Sequence, residues 1–184
     1  MGGGGFKIRD QAGIHFITFS VVGWISVFER KFYCGLLLDS LRYCQKHKGL
    51  VLYSWCIMPN HIHLIISAKH NNLSDVLRDF KKFTSKKMIN SIVNNDQDNR
   101  RNCMIEMFKS AGASNIRNRI YQFWQQDNHP EVLFGNYFTK QKLAYIHNNP
   151  KKAGIVNKPE EYPYSSAIDY FYGKKCGLLE IEFL

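Results

Sequence analysis

The sequence predicts an α+β domain, an antiparallel sheet with helices on one face, closed by one more helix. Three observations predict it. Apolar runs that alternate with a period of two give way repeatedly to apolar residues spaced by three and four. The two central strand-like runs are joined by nothing longer than Pro59-Asn60, which makes them an antiparallel pair. The two periodicities follow one another as strand, helix, strand, strand, helix, strand, and then a helix.

Taken in order, Ile14 to Val22 is β-branched and aromatic with period-two alternation, and reads as the first strand. From Glu29 to Lys48 the spacing becomes helical, with Phe32, Leu36, Leu37, Leu41 and Cys44 on one stripe and Gly49 as a stop. Leu50 to Met58 and His61 to Ser67 are the second and third strands. A second helix runs from Ser74, with Leu73, Val76, Leu77, Phe80 and Phe83 as its apolar stripe and Arg78, Lys81, Lys82, Lys86 and Lys87 over much of the rest. Asn94 to Ser114 is polar and lacks sustained periodicity, so it is expected to be loop. Ile120 to Trp124 alternates again and is expected to be the fourth strand, continued by Val132-Leu133-Phe134. The last helix runs from Tyr137 to about Asn149, where Pro150 is expected to end it. This order is that of the ferredoxin-like split βαβ arrangement. The organisation expected is a flexible tail over 1–12 and a single domain over 13–184, with a mobile insertion near 94–116.

The chain has 184 residues, 45% hydrophobic and 22% charged, which excludes a wholly disordered protein. Lys and Arg number 25 against 15 Asp and Glu, a net charge of +10. With 14% aromatic residues, that surplus suits a polyanionic partner, most simply nucleic acid, although a merely basic protein would show it too. Cys34, Cys44, Cys56, Cys103 and Cys176 are odd in number and never spaced as Cys-x-x-Cys. A disulfide framework is therefore not expected, and a reducing, cytoplasmic location is. Ile14 to Phe28 is interrupted by His15, Thr18, Ser20, Gly23 and Ser26, so no membrane span is expected.

His61 and His63 stand one residue apart in a strand and project from one face, with Cα atoms about 6.5 to 7 Å apart. That spacing lets two imidazoles converge on one divalent cation; it equally suits a packed or surface pair. Tyr145 and Asn149 are four apart on the last helix and so share a face. Asn offers a hard oxygen ligand, and Tyr a hydroxyl that becomes a nucleophile where a metal or base lowers the cost of the phenolate. A helical Tyr can equally be a packing residue.

Met58-Pro59-Asn60-His61-Ile62-His63-Leu64-Ile65, the stretch Tyr145 to Val156 and the later Tyr162-Pro163-Tyr164-Ser165-Ser166 together resemble the insertion-sequence-200-like transposases. These are single-tyrosine enzymes of the His-hydrophobe-His (HUH) endonuclease superfamily, and the likeness is greatest to the REP-associated tyrosine transposases. It runs from about Gly13 to Tyr170. What it implies is a nucleophilic Tyr145, metal ligands His61, His63 and Asn149, a Mg²⁺ or Mn²⁺ cofactor, and single-stranded DNA carrying a hairpin as substrate. The insertion-sequence members usually have Gln at the third ligand position, and the REP-associated branch has Asn. Asn149 therefore points to the domesticated branch and away from autonomous transposition.

The resemblance implies a metal-dependent endonuclease and strand transferase working through a 5′-phosphotyrosine intermediate. Arg78, Lys81, Lys82, Lys86, Lys87, Arg117, Arg119, Lys140, Lys142, Lys151 and Lys152 are the candidate phosphate contacts. The alternative is a non-catalytic module of the same fold that binds DNA or RNA hairpins. A relaxase would share the chemistry but generally brings a third histidine and further domains. Related enzymes occur as monomers and as dimers, so a homodimer is open.

Overall fold

Among the described residues, four strands make one antiparallel sheet in the order β2-β3-β1-β4: β1 (His15–Ser20), β2 (Leu50–Met58), β3 (His61–Ala68) and the two-residue β4 (Glu131–Val132). This is the strand order of the expected ferredoxin-like sheet. The computed structural model describes residues 8–114, 120–126, 128 and 130–184. Pro59-Asn60 turns β2 back into β3, setting Met58 opposite His61, and β1 lies along the far side of β3 with Thr18 opposite His63.

The pleat divides the strand residues into two cores. Ile17 and Phe19 of β1, with Ile62, Leu64 and Ile66 of β3, face α1 (Lys31–Lys48) and α2 (Leu73–Val93). A register irregularity between Leu52 and Ser54 lets β2 keep Leu50 and Leu52, then Trp55 and Ile57, on that side. The opposite face carries Phe16, Ile65, Cys56 and Met58, and these pack with Ile146 of α4 (Asn136–Lys152). Two helices therefore share one face of the sheet, and the tyrosine helix covers part of the other.

α1 ends where expected, at Gly49, whose φ of 70° takes the left-handed turn. α2 begins at Leu73, one residue before the expected start. A short helix, α5 (Ala167–Tyr172), follows near the end of the chain.

Three local expectations are corrected. The stretch expected as loop contains α3 (Arg101–Ala113), which buries Met104, Phe108 and Gly112. Two apolar residues four apart suffice because Gly112 lets the next segment lie directly on the helix: a Cβ there would overlap the Ile120 carbonyl. Ile120–Trp124 is not the fourth strand. Its contact with β1's end is an isolated bridge between Val21 and Trp124, because Phe123 and Trp124 are both buried in succession instead of alternating. The ladder partner of β1 is β4, beyond Pro130. Finally, Pro150 does not stop α4. It forfeits one amide donor near the end of the helix, while the Ala153 N–H still donates to the Asn149 carbonyl at 2.9 Å and the helix runs on to Lys152.

Candidate active site

His61 and His63 open β3, on the face that α4 covers, and their side chains converge as the strand alternation requires: the two Nε2 atoms are 3.0 Å apart. Each remaining ring nitrogen has a partner. The Nδ1–H of His61 donates to Asn60 Oδ1 at 2.6 Å, and His63 Nδ1 is 2.7 Å from Thr18 Oγ1. Partners of this kind, placed behind an imidazole, orient it and select its tautomer in metal sites. A hydroxyl both donates and accepts, so Thr18 can serve either tautomer of His63.

Burial lowers both imidazole pKa values, His61 to about 4 and His63 to about 3, the latter also opposed by the charges of His61 and Lys142. Both rings are therefore neutral at pH 7, the state in which a histidine is a ligand. Two donors each about 2.1 Å from one octahedral ion and at right angles stand about 3.0 Å apart, so the pair's spacing suits a shared divalent cation.

Tyr145 reaches this pair from α4. Its ring meets His63 edge to face at 5.3 Å and Phe16 likewise at 5.9 Å, while Phe16 stacks on His63 at 5.6 Å. Phe16 thus sits between the helix that carries Tyr145 and the strand that carries the histidine pair. Tyr145 remains 41% exposed, open to a large substrate. The Lys152 ammonium lies over its ring, 5.7 Å from the centroid.

Asn149 sits one turn beyond Tyr145, its Nδ2 donating to the Tyr145 carbonyl at 3.1 Å. Among the described residues its Oδ1 makes no hydrogen bond, and none joins it to either imidazole. Among the described residues no cluster of three or more His, Cys, Asp or Glu side chains forms that could hold a metal alone. A carboxamide oxygen such as that of Asn149 is a chemically suitable hard ligand.

The basic residues divide. Lys142 lies beside the site but is committed, 2.7 Å from Glu131 and over the Phe16 ring at 4.5 Å. Lys151 and Lys152 are exposed at the end of α4, and Lys140 is exposed near its start. Arg78, Lys81, Lys82, Lys86 and Lys87 lie on α2, which packs on the sheet face opposite the histidines. Arg78 is paired with Asp75 and Asp79, and Lys81 donates to the Gln125 carbonyl and Asn128. Lys82 and Lys86 line a groove with Ile120–Trp124. Arg117 and Arg119 lie outside the described residues.

The sequence assigns no site role to Thr18, Asn60 or Phe16. Thr18 becomes visible only once β1 is registered against β3, and Asn60 shows in sequence as a turn residue and as part of the stretch that carries the resemblance. No helix among the described residues is long and apolar enough to cross a membrane.

Residues 25–106 match the family described as transposase IS200 like. The resemblance to the IS200-like transposases is borne out. The matched stretch contains the histidine pair and stops short of Tyr145 and Asn149. A REP-associated tyrosine transposase solved in complex with a REP hairpin shares the fold, with a TM-score of 0.65 and 16% identity over 100% of this chain and 94% of that one. A transposase candidate from Deinococcus radiodurans R1 aligns at a TM-score of 0.45 and 16% identity, over 80% of this chain and 97% of that one. No curated protein matches.

Proposed function

We propose that this chain is a strand-cleaving and strand-joining enzyme of the IS200-like type, acting on hairpin-bearing single-stranded DNA through Tyr145. The observation that carries the reading is the meeting of Tyr145 with His63 while the two imidazole Nε2 atoms converge at 3.0 Å. A module that only binds DNA has no use for a phenol set against two neutral, oriented imidazoles. The family match over the histidine pair supports it, and the fold shared with a protein solved on a REP hairpin suggests the substrate class.

His61, His63 and Asn149 would hold Mg²⁺ or Mn²⁺, which when bound would neutralise charge on the scissile phosphate and ease departure of the 3′ oxygen. Asn60 and Thr18 hold the imidazoles in orientation. Lys152 adds positive charge where the phosphate approaches Tyr145. The Tyr145 Oη–phosphorus bond forms as the phosphorus–O3′ bond breaks. The phenol proton is released and the 3′ oxygen takes one up, leaving a 5′-phosphotyrosine and a free 3′-hydroxyl. One phosphoester replaces another, so rejoining needs no nucleotide hydrolysis.

Incubation with labelled hairpin-bearing single strands and Mn²⁺ tests the reading. A covalent protein–DNA adduct is expected from the wild type and none from Tyr145→Phe. Tight binding with no adduct from the wild type would leave a binding module in its place.

A further inference from the structure

We propose that Trp24 is a stacking platform for an unpaired nucleobase beside the scissile phosphate, a role that rests on the strand-cleaving reading above. The chain has three tryptophans, and two are core residues: Trp55 is fully buried and Trp124 is 4% exposed. Trp24 is 56% exposed. Its indole stands edge to face with His61, ring centroids 6.0 Å apart. An exposed aromatic face next to the imidazole pair is what a base requires when its own phosphate sits at that pair, and base-on-aromatic stacking tolerates any sequence.

The backbone shows that this position is held rather than incidental. Trp24 has φ 54°, in the left-handed region that a bulky side chain rarely adopts, and Gly23 before it has φ 65°. Strain of this kind persists only where neighbours enforce it, and it gathers at functional sites. The turn touches the terminal methyl of Met107 on α3 at Gly23, and the neighbour that holds Trp24 is Asn60. Asn60 Nδ2 donates to the Trp24 carbonyl at 3.3 Å while Asn60 Oδ1 accepts from His61. One carboxamide therefore ties the indole's backbone and a candidate metal ligand to each other. The net charge of +10 favours a polyanion over an apolar protein as the occupant, and a single strand offers bases between its phosphates.

The buried state of Trp55 and Trp124 makes tryptophan emission a direct readout. In a Tyr145→Phe background, which keeps DNA uncleaved, a hairpin with a single-stranded flank on either side is titrated against a blunt hairpin. The flanked hairpin is expected to quench emission, and Trp24→Phe to remove that quenching while leaving the emission of the two core indoles. Trp24→Ala is expected to weaken binding of the flanked hairpin by about fivefold or more and to leave the blunt hairpin unchanged. Equal affinities for the flanked hairpin, equal weakening of both hairpins, or quenching that survives Trp24→Phe would each overturn the role. The adduct assay with the wild type separates the two readings: an adduct formed without any effect of Trp24 removes the platform alone, and quenching without an adduct removes the cleavage.

Discussion

His63 on β3 and Tyr145 on α4 meet edge to face with ring centroids 5.3 Å apart. The fold of the chain thus brings the Tyr145 ring to the imidazole pair. Tyr145→Phe keeps the ring contacts to His63 and Phe16 and removes only a hydroxyl from a partly exposed ring. Its stability is expected to stay within about 0.5 kcal/mol of the wild type in urea unfolding, with the adduct abolished. Loss of stability of several kcal/mol would mark Tyr145 as a structural residue.

Thr18→Val removes the partner of His63 Nδ1 and keeps the side-chain shape. Loss of such a partner behind a metal-ligating histidine typically costs about 10- to 100-fold in metal affinity. Mn²⁺ titration by calorimetry is expected to show that loss with the melting temperature little changed; unaltered Mn²⁺ binding would separate Thr18 from the metal.

Two neutral imidazoles and a carboxamide bring no negative charge to a cation. Mn²⁺ is therefore expected to bind more tightly when a DNA hairpin supplies a phosphate. Equal Mn²⁺ affinity with and without DNA would contradict the ligand set.

His147 is buried on α4, where its Nε2 lies 2.9 Å from Ser166 Oγ and 3.1 Å from Ser54 Oγ. Burial lowers its pKa from 6.5 to about 4. The unfolded chain therefore binds a proton that the folded chain refuses between these values. Stability from the neutral ring is complete above about pH 6.5 and falls as the pH drops towards 4, by on the order of 3 kcal/mol. His147→Gln cannot titrate, so its urea midpoint is expected to fall less over this window; parallel curves would remove His147 as the cause.

Phe108 is fully buried on α3 between Phe123 and the main core. Phe108→Ala is expected to cost about 3–5 kcal/mol in urea unfolding. A cost near zero would return the segment to the loop that composition suggested.

The sheet's centre was legible because β2 and β3 are predominantly apolar runs about a Pro-Asn turn, and strand alternation alone placed His61 and His63 together. α3 escaped notice because its burial rests on Met104, Phe108 and a glycine, too few apolar residues for a stripe. β4 has two residues, too short for any period. At the site, Tyr145 and Asn149 could be put on one helical face, but which side of the sheet that helix covers depends on long-range packing of Ile146 with Ile65 and Cys56. The same limit concealed that α2's lysines lie across the sheet from the histidines.

Along β2, the edge away from β3 is already taken. The Leu52 carbonyl accepts from the Glu182 N–H, Tyr53 from the Tyr170 hydroxyl, Trp55 from the Ser166 N–H, and Ile57 from the Tyr162 hydroxyl; the Ile57 N–H donates to the Tyr164 carbonyl. At the other end of the sheet β4 offers two residues. From Leu52 to Ile57 the outer edge of β2 is therefore capped by the chain's own C-terminal segment, which blunts it as a template for strand addition.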